Sequence, residues 1–227
     1  MTISSGYDSN LLVSLISNKL REETKYYCVG GSKGVDETIT ARKILEEYNN
    51  NNLVVSYVND NTFSSFPEIV YLYEGLFYER GIFLQYELYK MLENKKQNII
   101  LGEGADQIMH QYYKQLHNIK DEIKKKKYSL YENCPYEMLI YLVLKKSSII
   151  LGKTKNNLIY PYLSKQFINY IDNFRDKFGL DKKLHKQIVN KTVLANINPY
   201  LKKIGGATEQ IALFKDDDDF IKWKKLY

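Results

Sequence analysis

Two acidic, glycine-bearing turns, far apart in the chain, each stand where a strand-like run gives way to a helical one. The first is Ser4-Ser5-Gly6-Tyr7-Asp8-Ser9-Asn10, between the stub Met1-Thr2-Ile3 and an apolar helical stretch. The second is Gly102-Glu103-Gly104-Ala105-Asp106-Gln107, after the run Asn98-Ile99-Ile100-Leu101. Chains that repeat strand, turn and helix build parallel sheets, because a crossover helix returns the chain to start the next strand in the same direction. In open parallel sheets ligands settle at the carboxyl ends of the strands. Helix N-termini there offer backbone N–H groups and the positive end of a dipole to an anion. The two turns read together as one nucleotide site.

The pattern around them agrees. Residues 2–4 read as a very short first strand, and residues 9–20 as a helix with Leu11, Leu12, Leu15 and Ile16 at apolar spacing. Residues 26–29 are a β-prone run ending at Gly30-Gly31, and 36–48 a helix with an acidic start and Ile39, Ile44 and Leu45 facing inward. A third strand over 53–58 closes at Asn59-Asp60-Asn61, helices follow over 67–77 and 82–94, and a fourth strand covers 98–101. From Ala105 onward the period is helical, over 105–127, 135–146, 164–177 and 184–197, with Pro161 interrupting a short extended piece at 158–162. The expected fold is α/β: one domain over 1–227, its 1–115 half a nucleotide-binding parallel sheet and its 116–227 half mainly helical.

Composition sets outer bounds. With 227 residues, 44% hydrophobic and 14% aromatic, the chain can bury a sizeable core, which excludes global disorder. No apolar run approaches the roughly 20 residues needed to span a bilayer, and no basic segment leads into an apolar one at the start. Cys28 and Cys134 are far apart and in no metal-type spacing, so they read as reduced thiols of a cytoplasmic protein. His110, His117 and His185 share no zinc-like spacing. The net charge of +6 gathers in lysine runs near 124–127, 182–186 and 222–225. Such runs are ordinarily solvated helix faces, with RNA or another anionic partner as the alternative.

In the first turn, Gly6 permits positive φ and close backbone approach, while Ser4, Ser5 and Ser9 bring hydroxyl donors to the same concavity. Asp8 is the odd member, since a carboxylate repels phosphate. It makes sense if Mg²⁺ lies between them, because magnesium sites commonly combine one or two carboxylates with substrate phosphates. The competing structural reading is that serine and aspartate are ordinary helix caps. In the second turn Gly102 and Gly104 let backbone come close, Asp106 supplies a second carboxylate, and Glu103 is a candidate base.

Ser4-Ser5-Gly6-Tyr7-Asp8-Ser9 resembles the Ser-Gly-Gly-x-Asp-Ser loop of the N-type ATP pyrophosphatases, the PP-loop enzymes. Gly102-Glu103-Gly104-Ala105-Asp106-Gln107 resembles the Gly-Glu-Gly-(Ala/Ser)-Asp-Glu motif of the asparagine synthetase synthase domain. Cys28-Val29-Gly30 with Asp36, Glu37 and Ala41, then Tyr160-Pro161-Tyr162-Leu163 and Lys203-Ile204-Gly205, resemble later segments of that domain in the same order. The resemblance implies a three-layer, adenine-nucleotide α-hydrolase-like fold. It also implies an ATP-dependent ligase that adenylates a carboxylate, releases magnesium pyrophosphate and transfers the acyl group to ammonia or an amine. By motif position Ser4, Ser5, Gly6, Asp8 and Ser9 would hold pyrophosphate, Asp8 and Asp106 would reach Mg²⁺, and Val29 and Gly102 would contact adenosine. Glu103 would assist proton removal, and Lys203 would offset phosphate charge.

The departures are equally specific. Ser5 puts a Cβ where the family has glycine, Gln107 replaces an acid, and Asn157, Ile159 and Ser164 stand where the family carries an acid, an arginine and an aspartate. They bear on the acceptor substrate more than on the nucleotide. The loop begins within four residues of Met1, which leaves no room in this chain for the glutaminase domain that glutamine-using relatives carry. Nitrogen is then expected from ammonia, an amine substrate or a partner subunit, with a homo-oligomer as a further expectation. Two alternatives stand beside the ligase: a tRNA-modifying PP-loop ATPase, and an inactive nucleotide-binding subunit of a larger synthetase.

Overall fold

The computed structural model describes residues 1–31, 36–75, 81–109, 144–178 and 183–196. Its strands are β1 (Tyr26–Gly30), β2 (Leu53–Tyr57), β3 (Asn98–Ile100) and β4 (Asn157–Ile159). β1 pairs with β2 and β3 with β4, both in parallel. Between these two ladders lies the amino-terminal segment. Thr2 forms a parallel bridge with Tyr27, Ile3 N–H donates to the Tyr27 carbonyl at 2.9 Å, and Thr2 N–H donates to the Ile100 carbonyl at 2.9 Å. Counting that segment as the first strand, the order is 3-2-1-4-5. The chain reverses its direction of winding at strands 1 and 4, and ligands in doubly wound sheets bind in the crevice at that switch. Both glycine turns follow those two strands.

The sheet is covered on both faces, as a parallel sheet must be. Side chains alternate along a strand, and β1 shows it. Tyr26 and Cys28 join the core built by Leu11, Leu12 and Val13 of α1 (Tyr7–Leu15) and Ala41, Ile44 and Leu45 of α3 (Glu37–Glu46). Tyr27 and Val29 face the other way. They join a layer formed with Leu88 and Leu92 of α6 (Ile82–Leu92) and Leu151 of α8 (Lys145–Gly152). The three-layer α/β expectation is met. The proposed boundary near residue 115 lies outside the described residues.

Several element boundaries differ from the periodicity. The helix expected over 9–20 is two, α1 and α2 (Asn18–Glu23), because Ser17 takes an extended conformation and its hydroxyl accepts from Leu20 N–H at 3.3 Å. A serine offering this cap begins a helix where the run of leucines suggested continuation. α1 carries no basic residue in its own last turn, and Arg21 of α2 takes over that role. Its guanidinium donates to the carbonyls of Val13, Ser14 and Ile16 at 3.1, 3.3 and 2.8 Å and to Asn18 Oδ1 at 2.8 Å. It also lies 4.1 Å from the Tyr48 ring centroid. Arg21→Met leaves these carbonyls without their donor, and we expect a loss of about 3 kcal/mol, since buried groups stripped of a charged partner each cost about 1–3 kcal/mol. Urea unfolding at an unchanged slope measures this, and a loss below about 1 kcal/mol would contradict it.

The helix expected over 67–77 is α5 (Phe66–Tyr73), which ends at Glu74 in the left-handed region with φ 60°, and an unexpected short helix, α4 (Asp60–Ser64), precedes it where a turn was expected. Buried Glu87 of α6 binds this part together. Its carboxylate accepts from Ser56 of β2 at 2.7 Å and Thr62 of α4 at 2.5 Å, and pairs with Lys90 at 2.8 Å. Helix α8 begins where a helix over 135–146 was expected to end; residues 135–143 lie outside the described residues, as does all of 105–127 beyond Met109. The helix expected over 184–197 is α10 (Lys183–Val189) followed by the short η2 (Val193–Asn196). Thr192 separates the two, its hydroxyl donating to the Val189 carbonyl at 2.8 Å and accepting from Leu194 N–H at 3.2 Å. α9 (Lys165–Phe178) fits the expected 164–177. No helix among the described residues is long and apolar enough to cross a membrane.

Candidate active site at the switch point

The first turn is braced by its own side chains. Ser4 N–H donates to Ser9 Oγ at 3.0 Å, and the Ser4 and Ser9 hydroxyls pair at 2.9 Å. Asn10, fully buried, donates its amide to the carbonyls of Ser4 at 3.1 Å and Gly6 at 2.7 Å. Two serines and an asparagine within one turn of a helix can do this because their short polar side chains reach nearby backbone. α1 then starts at Tyr7 with Gly6 as its cap, and a glycine brings no side-chain acceptor to the first-turn amides. Such a helix start favours an anion in the acceptor's place.

Gly6 does not use positive φ. It is extended, with φ −82° and ψ 155°, so the conformational freedom expected of it is exercised instead at Gly104, where φ is 93°. Ser5 also differs from expectation. Its side chain is fully buried and its hydroxyl donates to Glu37 Oε1 of α3 at 3.0 Å. The extra Cβ is therefore absorbed behind the turn, against α3.

The two turns touch. A Cβ built on Gly102 would stand 3.2 Å from Ser9 N, 3.4 Å from Ser9 Cα and 3.6 Å from the Asp8 carbonyl carbon. A side chain here would press on the backbone of the first turn of α1, so glycine suits the close approach of the end of β3. Asp8 sits in that first turn, and Asp106 sits in the first turn of α7 (Ala105–Ile108), capped by left-handed Gly104. The contact thus joins, at the switch point, the ends of two strands whose following helices each carry an aspartate in the first turn.

Glu103 is half-buried beside the same crevice, and its Oε1 accepts from Gln85 of α6 at 2.9 Å. The Tyr160 hydroxyl lies within hydrogen-bond distance of Ser147 and Ser148, at 3.3 and 3.5 Å. Burial above all raises the Tyr160 hydroxyl above its ordinary pKa, and the charge on Glu103 adds to the rise. Val29 presents backbone at the carboxyl end of β1, while its side chain packs into the α5/α6 layer. Gln107 is buried. Ile159 and Asn157 are exposed on β4, and Ser164 Oγ accepts from Phe167 N–H at 3.3 Å at the start of α9. Lys203 lies outside the described residues.

Those two strand-end turns in one switch-point crevice match the architecture expected of the synthase domain, and the match extends to the sequence profile. The family described as asparagine synthase matches residues 1–149. The chain belongs to the asparagine synthase family. It is thereby a member of a family of ATP-dependent, amidotransferase-like synthases, for which ATP is a substrate. A comparison with curated proteins finds no match.

Among the described residues of this asparagine synthase family member, no group of three or more His, Cys, Asp or Glu forms a metal cage. The donor set still fits magnesium, which takes one or two carboxylates and leaves its other positions to phosphate and water. Cys28 plays no part. It is buried beneath α3, and burial first, with Glu37 and Asp36 adding to it, pushes its thiol well above the ordinary range. In a Cys134→Ser background, Cys28 should react with a thiol reagent only as fast as the protein unfolds. Labelling within seconds of mixing would contradict that burial.

Three residues next to the site carried no assigned role in the sequence. In the sequence Asn10 is a turn residue without a function, Tyr162 a member of a motif, and His185 a histidine without zinc-like spacing. Tyr162 OH donates to the Asp8 carbonyl at 2.7 Å, and His185 Nδ1 stands 3.3 Å from Asp8 Oδ1.

Proposed function

We propose that this chain is an ATP-dependent carbon–nitrogen ligase that adenylates a carboxylate, releases pyrophosphate and transfers the acyl group to ammonia or an amine. The observation that carries it is the packing of Gly102 against Ser9 and Asp8, which joins at the switch point two strand ends whose following helices each carry an aspartate in the first turn. A triphosphate fits such a place by its charge. Amides at the start of α1 favour the β- and γ-phosphates, and the backbone at Val29 and Gly102 borders the space for adenosine.

The acid substrate attacks the α-phosphorus with a carboxylate oxygen. The bond from that phosphorus to the bridging oxygen breaks, and pyrophosphate leaves. Preorganised donors at the turn favour the charge that grows on the leaving group. Asp8 and Asp106 would hold Mg²⁺, which supplies Lewis-acid neutralisation of phosphate charge when bound. In the second step the amine nitrogen attacks the acyl carbon, and AMP leaves. Glu103, held by Gln85, takes the proton from the attacking nitrogen. Lys203 offsets charge on the phosphates in this scheme. The domain works as one unit, 1–227, in the cytoplasm, and nitrogen arrives as ammonia, as an amine or from a partner subunit.

Exchange of labelled pyrophosphate into ATP, screened over a panel of carboxylic acids, tests the scheme. One class of acid should stimulate exchange, and adding ammonia or an amine should convert ATP to AMP and pyrophosphate with an amide as product. Formation of ADP and phosphate alone, or exchange indifferent to every acid, would contradict it.

A further inference from the structure

The Asp8 turn is held from behind by the carboxyl-terminal helices. α10 packs on α1, and the short η1 (Pro161–Leu163) packs on α7. At the first of these contacts lies His185, whose side chain is 1% exposed against 20% for that of Asp8. Its ring stands edge-on to Tyr162, with centroids 5.2 Å apart at 76°. Tyr162 packs in turn on Phe167 at 5.4 Å. The imidazole therefore has little freedom, and its Nδ1 lies 3.3 Å from Asp8 Oδ1. The Tyr162 hydroxyl fixes the carbonyl of the same residue at 2.7 Å. One aspartate is thus held by a hydrogen bond at its backbone and by close approach of the His185 ring at its side chain, and the two rings pack on each other.

We propose that His185 and Tyr162 are positioning residues, which set the Asp8 carboxylate in the orientation needed for a divalent cation shared with a bound triphosphate. The inference rests on the ligase reading above. A carboxylate in the first turn of a helix has several rotamers open to it, and a cation held by only two protein carboxylates depends on each being preset. An imidazole suits the task, since packed 3.3 Å from the Asp8 carboxylate it limits the rotamers open to it without the obligatory positive charge that lysine or arginine would bring against the cation. Partners of this kind behind a metal ligand typically govern affinity by about 10–100-fold. The helical part of the chain would then complete the nucleotide site and not merely cover it.

The experiment compares two polar replacements of similar bulk. His185→Asn places an amide nitrogen where Nδ1 stands, and His185→Gln places it nearer Nε2. Binding of Mn²⁺ in the presence of α,β-methylene-ATP is followed by the loss of free-Mn²⁺ paramagnetic resonance, with circular dichroism and melting temperature recorded for each chain. The Asn variant should stay within about threefold of wild type and the Gln variant should fall about tenfold, at similar melting temperatures. Equal binding by the two variants would overturn the inference, because a core role responds to size and polarity and not to which nitrogen is kept. Should either fail to fold, Tyr162→Phe decides. It keeps both rings packed and removes only the hydroxyl, so about fivefold weaker Mn²⁺ binding supports the inference and unchanged binding overturns it. If wild type binds and Asp8→Ala does not, equal Asn and Gln variants defeat this inference alone. If wild type itself binds no Mn²⁺ with the analogue, the ligase reading falls and takes this one with it.

Discussion

Gly102→Val is expected to abolish pyrophosphate exchange, by more than about 100-fold, and to lower stability by about 1–3 kcal/mol, the range for side chains forced into packed space. A valine Cβ would meet Ser9 N at 3.2 Å and Ser9 Cα at 3.4 Å. These are backbone atoms in the first turn of α1, and they cannot swing aside as a flexible side chain would. The strain is relieved only by moving β3 and its turn away from α1. A small displacement of a binding constellation costs orders of magnitude in rate, because the entropy saved by preset geometry is lost. Gly102→Ala brings the same first contact with less bulk beyond it, and should fall between wild type and valine. Stability and exchange measured on all three separate a loss of fold from a loss of site. Wild-type exchange in Gly102→Val would contradict the packing of the two turns.

Asp8→Ala should reduce exchange by about 10³-fold while leaving the fold intact. The magnitude follows from removing one preorganised charge-stabilising group from a phosphoryl-transfer site. Survival of the fold follows from the position of Asp8, since its side chain is partly exposed at the turn and the braces of that turn are Ser4, Ser9 and Asn10. Ser5→Gly makes a useful contrast. Its hydroxyl faces Glu37 in the interior, so removing it should cost stability and spare exchange, whereas a phosphate-binding hydroxyl would do the opposite. Steady-state exchange and urea unfolding on both variants check the pair, and an Asp8→Ala chain as active as wild type would contradict the role given to that carboxylate.

What was legible in the sequence was turn chemistry. Glycines and acids after an apolar run mark strand-to-helix turns, and Gly102, Gly104, Asp8 and Asp106 lie in such turns. The β-prone run over 26–29 likewise became β1, whose burial on both faces comes from the structure, with Tyr26 and Cys28 on one side and Tyr27 and Val29 on the other. Helix ends were less legible, because Ser17 and Thr192 decide them through single hydrogen bonds that a run of apolar residues conceals. The amino-terminal stub reads as the weakest strand by length, yet Thr2 and Ile3 are bonded to β1 and β3 and occupy the centre of the sheet. Length carries no information about position in a sheet. The sequence places Ser5 with the pyrophosphate-holding residues because it does not show that Glu37 stands on the neighbouring helix to take its hydroxyl. His185 had no local signal at all: its meaning comes from the packing of α10 on α1, a contact between opposite ends of the chain.

The central claim is that the two turns serve one ligand. The direct test is a double-mutant cycle on equilibrium binding of α,β-methylene-ATP with Mg²⁺, using Asp8→Ala, Asp106→Ala and the pair together. Each single change should weaken binding at least about tenfold, and the double variant should be no more than about threefold weaker than the poorer single one, since groups that share a partner do not add. Losses that multiply, or no loss in either single variant, would show that Asp8 and Asp106 do not meet at one nucleotide.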